Sequence, residues 1–387
     1  MKILVVSHSS VVETHQGKLR ELSQYPDIEV HLIIPHAWPE NNRWIVADSR
    51  DDLPYQIHII PAYRLGKIAS YFYTPFVFQK TVRHIRPDIM YAEEEPWSVA
   101  AWQCARAARR VNAKLFFFTW ENIERKYKWI SEIFLKTVLE KSSAAVVGNG
   151  EGRNVLHRRG YRKPITVLPQ YGVDMLDQDI APDVQHNLEK LERPIISYFG
   201  RIEREKGIDL ILHAASNLRG QWSLLIVGDG EMKENLKKMA EQLRIENRML
   251  FHPAVPHEKV REWLSAIDIL VLPSRTTPTW KEQFGRILIE AMAIGIPVVG
   301  SDSGAIPEVI DDAGVVIPEE DVEALRKALQ RLIDSEVERK RLSHAGRLRV
   351  SHNYSNQIIS EKLYSFLNGV IKNSIGVHRV EAEAAKV

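Results

Sequence analysis

Glu282 and Glu290 are two carboxylates set eight residues apart in the segment 273–308, PSRTTPTWKEQFGRILIEAMAIGIPVVGSDSGAIPE. The pattern predicts a strand ending near Leu272, a polar loop, and an apolar helix starting about Phe284. Glu290 then lies within ILIEAMAI, among aliphatic residues. A lone carboxylate buried there is costly, so it needs a partner. The helix N-terminus at Phe284, Gly285 and Arg286 offers backbone N–H groups that suit a phosphate or a sugar oxygen. Glu282 precedes that N-terminus. The competing reading makes Glu290 a structural carboxylate paired to a nearby arginine, and Glu282 a residue that complements the helix dipole.

Arg201 and Lys206 form the second feature, in FGRIEREKG over 199–207. A strand is expected to end at Gly200, and the two cations bracket a turn before the next helix. Two cations at a strand's carboxyl end can clamp a diphosphate, with arginine supplying bidentate hydrogen bonds. A solvated charged loop is the plainer alternative.

These groups act together only if the fold gathers them. Short apolar runs alternate with amphipathic helical stretches along the chain. Seven strands are expected in the first half, over 3–7, 30–34, 57–60, 88–92, 115–119, 144–147 and 165–168. Six more are expected over 195–199, 223–227, 249–251, 269–272, 297–300 and 314–317. Strands alternating with helices imply parallel sheets, and two such series imply two doubly wound α/β domains. The expected layout is a Rossmann-like domain over 1–175, a polar linker over 176–193, a second Rossmann-like domain over 194–354, and a helix over 355–375 that packs back toward the first domain. Ligands of such sheets bind beyond the carboxyl ends of the strands, where Arg201, Lys206 and Glu282 fall.

Composition narrows the class. A length of 387 residues suits two domains, with 44% hydrophobic and 26% charged residues as in soluble globular chains. The single cysteine, Cys104, cannot form an internal bridge and points to a reducing, cytoplasmic setting. The opening MKILVVSHSS reads as a first strand rather than a leader. A net charge of +2 and the lack of a recognisable module argue against nucleic acid. Residues 1–175 carry 24 Lys and Arg against 18 Asp and Glu, while the remainder is acidic, so a peripheral membrane contact belongs to the first half. The aromatic, basic stretch 63–86 suits either such an interface or a core helix with a basic flank. The fourteen histidines show no metal-ligand spacing, and no metal or other cofactor is expected.

Three blocks, FGRIEREKGIDLILHA, LLIVGDGE and EQFGRILIEAMAIGIPVVGSDSGAIPEVI, together resemble the retaining GT-B glycosyltransferases of glycosyltransferase family 4 (glycosyl transferases group 1) in order, spacing and residue type. The resemblance is dense over 195–350 and extends to the first half only in outline. It implies the GT-B fold, two facing Rossmann-like domains with a cleft between them. It also implies hexose transfer from a UDP- or GDP-hexose to a hydroxyl of a glycan, lipid-linked sugar or polyol, with retention of configuration, in cell-surface polysaccharide or glycolipid synthesis. By the same resemblance Arg201 and Lys206 hold the donor diphosphate and Glu290 accepts hydrogen bonds from the ribose. Glu282 contacts the transferred sugar, and Phe284, Gly285 and Arg286 complete the donor site. Catalytic roles fall to Glu282, Arg201 and Lys206. An epimerase of the same fold, or a non-catalytic donor-binding subunit, is the alternative. The spacing of Glu282 and Glu290 argues against the first, and the complete set of Arg201, Lys206, Glu282 and Glu290 against the second.

The chain departs from the family pattern in three places. His252–Pro253 replaces a glycine beside the nucleobase pocket, and the loop after the first strand offers only Gly17 where relatives carry a glycine pair. Trp120–Glu121–Asn122 stands where relatives often place a histidine. The acceptor-side candidates are therefore Gly17, Glu94 and Glu121, with the run Glu93–Glu94–Glu95 facing either an acceptor or solvent. Gly148, Gly150 and Gly152 read as a strand-to-helix turn, and the pair Asp177 and Asp179 as solvated linker polarity.

Overall fold

The structure is a computed structural model that describes residues 1–40, 43–48, 50, 52–175 and 181–384. Asp177 and Asp179 lie outside the described residues. The chain forms two compact units, one comprising Met1–Gly172 and the segment from Asn356 onward, the other Val173–Ser355.

The first unit is built on seven parallel strands: β1 (Lys2–Val6), β2 (Glu29–Pro35), β3 (Gln56–Ile60), β4 (Ile89–Ala92), β5 (Lys114–Thr119), β6 (Ala144–Val147) and β7 (Ile165–Val167). Their order across the sheet is β7-β6-β5-β4-β1-β2-β3. The register sets Ile3 beside both Val30 and Ile89. Ile3 to Val6 are fully buried, which is why these strands read as continuous apolar runs: helices cover both faces of a parallel sheet.

The second unit has six parallel strands: β8 (Ile195–Phe199), β9 (Ser223–Val227), β10 (Met249–His252), β11 (Ile269–Leu272), β12 (Val298–Ser301) and β13 (Val315–Ile317). Their order is β10-β9-β8-β11-β12-β13. Counted from its own first strand, the first sheet runs 3-2-1-4-5-6-7 and the second 3-2-1-4-5-6, the doubly wound order. Chain direction across the sheet reverses between β1 and β4 in one unit and between β8 and β11 in the other. In doubly wound sheets, ligands bind at such a switch point, beyond the carboxyl ends of the strands.

Capping residues set the helix bounds. The Ser98 hydroxyl accepts the Ala101 N–H at 3.1 Å, and the alanine-rich helix Val99–Val111 runs to a left-handed Asn112. Asn149 does the same for Gly150–Arg158, accepting the Gly152 N–H at 2.8 Å. The stretch expected as an irregular linker holds a short helix, Pro182–Leu188, because a proline at its first position and Val184 and Leu188 facing inward suffice for two turns. Residues 63–86 are neither one helix nor one core segment. Ala62–Tyr63 pairs with Phe72–Tyr73 as a small antiparallel ribbon, and the helix Pro75–Ile85 follows.

The helix Asn356–Ala384 packs against Gly17–Leu22 and supplies Ile359, Leu363, Leu367 and Val370 to the core of the first unit. Their spacing of three and four places them on one helical face. Tyr364 stacks on Tyr25 at 4.0 Å between ring centres.

Candidate functional site

At the switch point of the second unit, β8 leads through Gly200 into a short turn, Arg204–Lys206, and β11 leads into the loop that carries Glu282. Arg275 fastens the two together. Its guanidinium meets the Asp209 carboxylate at 2.7 and 2.6 Å and donates to the Arg204 carbonyl at 3.0 Å, while its backbone N–H reaches the Glu205 carbonyl at 2.7 Å. The bidentate geometry holds the turn in one place.

Lys206 Nζ is thereby set 2.8 Å from Glu282 Oε2, which also accepts the Ser274 hydroxyl at 2.9 Å. The same ammonium lies 4.4 Å from the centre of the Trp280 ring, so it is held between a carboxylate and an aromatic face. Both partners of the pair are mostly buried. The backbone of Glu282 is fixed from behind, where its carbonyl accepts the Ala305 N–H at 3.0 Å. Gly304 makes that approach feasible: with φ +55, a Cβ there would sit 2.0 Å from the Glu282 oxygen.

The helix Arg286–Ala293 begins immediately after Gly285, a left-handed cap at φ 75 and ψ 53. Its positive dipole end therefore adjoins the Glu282 loop. Phe284 is buried and packs edge-on against Tyr354, 5.7 Å between centres. Glu290 is not the lone buried carboxylate that its aliphatic neighbours suggest. It stays partly exposed, with Arg286 Nε 2.8 Å away one turn earlier and His257 Nε2 at 3.5 Å. The helix turns Glu290 toward the face that carries Arg286, away from Leu288, Ile289 and Ala291, which are buried. Arg201 is the most exposed of the set and meets Glu203 at 2.7 Å. His252, the last residue of β10, packs on Trp263 at 4.0 Å.

The first unit has a corresponding edge, and its three consecutive glutamates face inward rather than toward solvent. Glu93 pairs with the buried Lys18, whose ammonium also donates to the Gln170 carbonyl at 2.6 Å. Glu94, fully enclosed, accepts the His8 backbone N–H at 2.8 Å and faces His8 Nδ1 at 2.7 Å, joining the ends of β1 and β4. The His8 ring packs on Trp38 at 4.3 Å and on Tyr71 at 5.5 Å. Glu95 accepts the Thr119 hydroxyl at 2.7 Å and the Trp120 N–H at 2.9 Å, tying β4 to β5. Burial pushes its carboxyl up to about 7.

Glu121 belongs to a separate cluster, with Arg159 at 3.0 Å and the Tyr127 hydroxyl at 2.8 Å; burial raises that phenol above its ordinary range. Gly17 opens the helix Gly17–Leu22, and a Cβ there would strike the Asn356 side chain at 2.2 Å. Gly17 is thus a packing position against the C-terminal helix. The structure therefore gathers Lys206 and Glu282 directly, puts the Glu290 helix beside them, and gathers Glu94 with His8. Sequence reasoning missed His8, Ser274, Trp280 and Gly304. The signal available for His8 was its place straight after a strand. Among the described residues, no group of three His, Cys, Asp or Glu side chains is placed to hold a metal ion.

Residues 179–349 match the family described as Glycosyl transferases group 1. A GDP-mannose-dependent monoacylated alpha-(1-6)-phosphatidylinositol monomannoside mannosyltransferase of Corynebacterium glutamicum is 31% identical over 180 residues, 45% of this chain and 47% of that protein. The putative colanic acid biosynthesis glycosyltransferase WcaL of Escherichia coli is 30% identical over 224 residues, 56% of this chain and 54% of that one. The chain thus spans about half the length of the curated relatives it matches. Among solved structures, Anabaena Alr3699/HepE in complex with UDP superposes with a TM-score of 0.70 at 18% identity, covering 95% of this chain and 100% of that one. Residues 179–349 are thus similar to Glycosyl transferases group 1 domains, in a chain whose two units have the Rossmann-like α/β form of the GT-B fold.

Proposed function

We propose that the chain transfers a hexose from a UDP- or GDP-hexose to a hydroxyl of a glycan, lipid-linked sugar or polyol, with retention of configuration. The observation that carries this reading is the Lys206–Glu282 pair, 2.8 Å apart at the switch point of the second sheet and beside the N-terminus of the helix Arg286–Ala293. It lies inside the matched domain. Relatives of that domain include a GDP-mannose-dependent enzyme with a lipid acceptor and one of colanic acid biosynthesis, and a neighbour of like fold binds UDP. They support the donor class and a role in cell-surface polysaccharide or glycolipid synthesis. The relatives named above favour neither the epimerase nor the non-catalytic alternative. The proposed setting is the cytoplasm.

The chemistry asks for charge handling. As the bond from the anomeric carbon to the diphosphate oxygen breaks, negative charge grows on the leaving group and positive charge on the sugar ring. Lys206, Arg201 and the helix dipole meet the first charge. Glu282, fixed by Ser274 and Ala305, orients the sugar and moderates the second. In a same-face substitution the acceptor oxygen bonds to the anomeric carbon while its proton passes to the departing phosphate oxygen. That route requires no separate base. Glu290 serves the ribose hydroxyls, with Arg286 holding its carboxylate in place beforehand.

Calorimetric titration with UDP, GDP, ADP and their hexose conjugates tests the donor site, repeated with Glu290→Gln. Selective binding that the substitution weakens about tenfold is expected, a single good hydrogen-bonding group being involved. A folded protein that binds none of them overturns the reading. Turnover must also require added acceptor.

A further inference from the structure

The basic excess of the first unit is concentrated on one face. The helices Pro75–Ile85 and Val99–Val111 contain no Asp or Glu, and Lys80, Arg83, Arg106, Arg109 and Arg110 project from them to solvent. The helix Trp129–Lys141 lies alongside. Arg110 reaches Gln79 at 2.7 Å across the first pair, and Trp102 meets Phe134 at 5.3 Å across the second. The two acids of the third helix are engaged locally: Glu132 accepts the Tyr127 N–H at 3.1 Å, and Glu140 sits 2.5 Å from Lys141. Lys126 and Lys128 add exposed cations just before it, while the neighbouring Glu124 pairs with Arg158.

Large apolar side chains stand at the starts of the outer two helices of this face. Phe76 is 78% exposed, Trp129 72%, Ile133 49% and Ile130 46%. Further along the same helices the exposed positions turn basic, Lys80 and Arg83 after Phe76 and Lys136 after Ile133. A basic face alone suits any polyanion. Exposed isoleucine, phenylalanine and tryptophan gain nothing from phosphate, and they lose contact with water only in an apolar phase. Aromatic and aliphatic anchors flanked by lysine and arginine are the chemistry of a lipid interface, with cations at the headgroups and rings at the acyl boundary. No helix among the described residues is long and apolar enough to cross a membrane, so the contact is a surface one.

We propose that this three-helix face docks the protein on an anionic lipid bilayer. The inference goes beyond the transfer reading and stands without it, because every residue in it belongs to the first unit and every donor group to the second.

Sedimentation of the full chain with vesicles tests it, using phosphatidylcholine alone and an equal mixture of phosphatidylcholine and phosphatidylglycerol. Binding to the mixture, absent with phosphatidylcholine and weakened by salt, is expected. Arg83→Ser/Arg109→Ser should lower the partition constant roughly 25-fold, about fivefold for each cation near the surface. Trp129→Ser/Ile133→Ser should lower it at least tenfold and at high salt as well. All four side chains are exposed, so both variants should keep the parent's melting temperature and nucleotide affinity. No binding to the mixture, or binding untouched by either variant, overturns the proposal. Binding that needs the arginines but ignores Trp129 and Ile133 also overturns it, marking a face for a soluble polyanion such as nucleic acid or an acidic protein.

Discussion

Lys206 touches a carboxylate on one side and an indole face on the other, and this determines what a substitution there does. Lys206→Met keeps the stem against Trp280 and removes only the charge. It should lower kcat by about 10²–10³-fold, as losing one preorganised charge-stabilising group does, with little change in melting temperature. Steady-state kinetics beside a thermal melt checks this; an unaffected kcat would remove Lys206 from the chemistry. Glu95 supports a prediction of another kind. The unfolded chain gives up this proton near the ordinary glutamate value of about 4.3, the folded chain at about 7. Between those values the native state binds more protons, so its stability falls as pH rises through that window and levels off above it. Glu95→Gln mimics the protonated carboxyl toward Thr119 and Trp120. The variant should gain roughly 2–3 kcal/mol over the parent between pH 4.5 and 7.5. Urea unfolding across that range reads it, and parallel pH profiles would count against it.

At the scale of elements, the loop holding Glu282 rests on a backbone approach that only glycine permits. Gly304→Ala combines a left-handed φ with a Cβ 2.0 Å from the Glu282 carbonyl oxygen. Gly220 is also left-handed, at φ +81, with nothing within 4 Å of its missing Cβ. Gly220→Ala should cost about 1–2 kcal/mol, from handedness alone. Gly304→Ala should cost a further roughly 1–3 kcal/mol from overpacking and should lower activity, because Glu282 must move. Equal costs in urea unfolding would deny the clash its importance. Elements of this second unit were legible where burial wrote a period into the sequence. Ile195–Phe199 and Ile269–Leu272 are buried throughout, and apolar but for Ser197 and the Tyr198 hydroxyl, because helices cover both their faces. The pairs Ala37–Glu40 with Arg43–Val46 and Ala62–Tyr63 with Phe72–Tyr73 left no such mark. They are short, and Trp44 and Tyr63 stay exposed. Strand-end reasoning located Lys206 and Glu282. The competing reading, Glu290 paired to a nearby arginine, holds with Arg286 one turn away, but nothing local announces that His8 and Glu94 meet across 86 residues, since that depends on tertiary placement.

For the whole molecule, the notable feature is that the first unit is made from both ends of the described chain. Ile359, Leu363 and Leu367 are almost wholly buried in its core, at roughly 1.5–3 kcal/mol each. Ending the chain after Ser355 should therefore unfold or loosen the first unit and leave the second intact. Limited proteolysis should then degrade 1–172 while a fragment of the second unit survives and still binds nucleotide. Equal resistance of both units would show the helix to be dispensable. The same arrangement imposes an order in time. A ribosome adding about 5–20 residues per second needs roughly 10–40 s to make Val173–Ser355. Throughout that interval the seam around Leu19 and Leu22 has no helix to cover it, and the second unit can finish folding first. A protein built this way depends on whatever shields that seam from other nascent chains until its own last helix emerges.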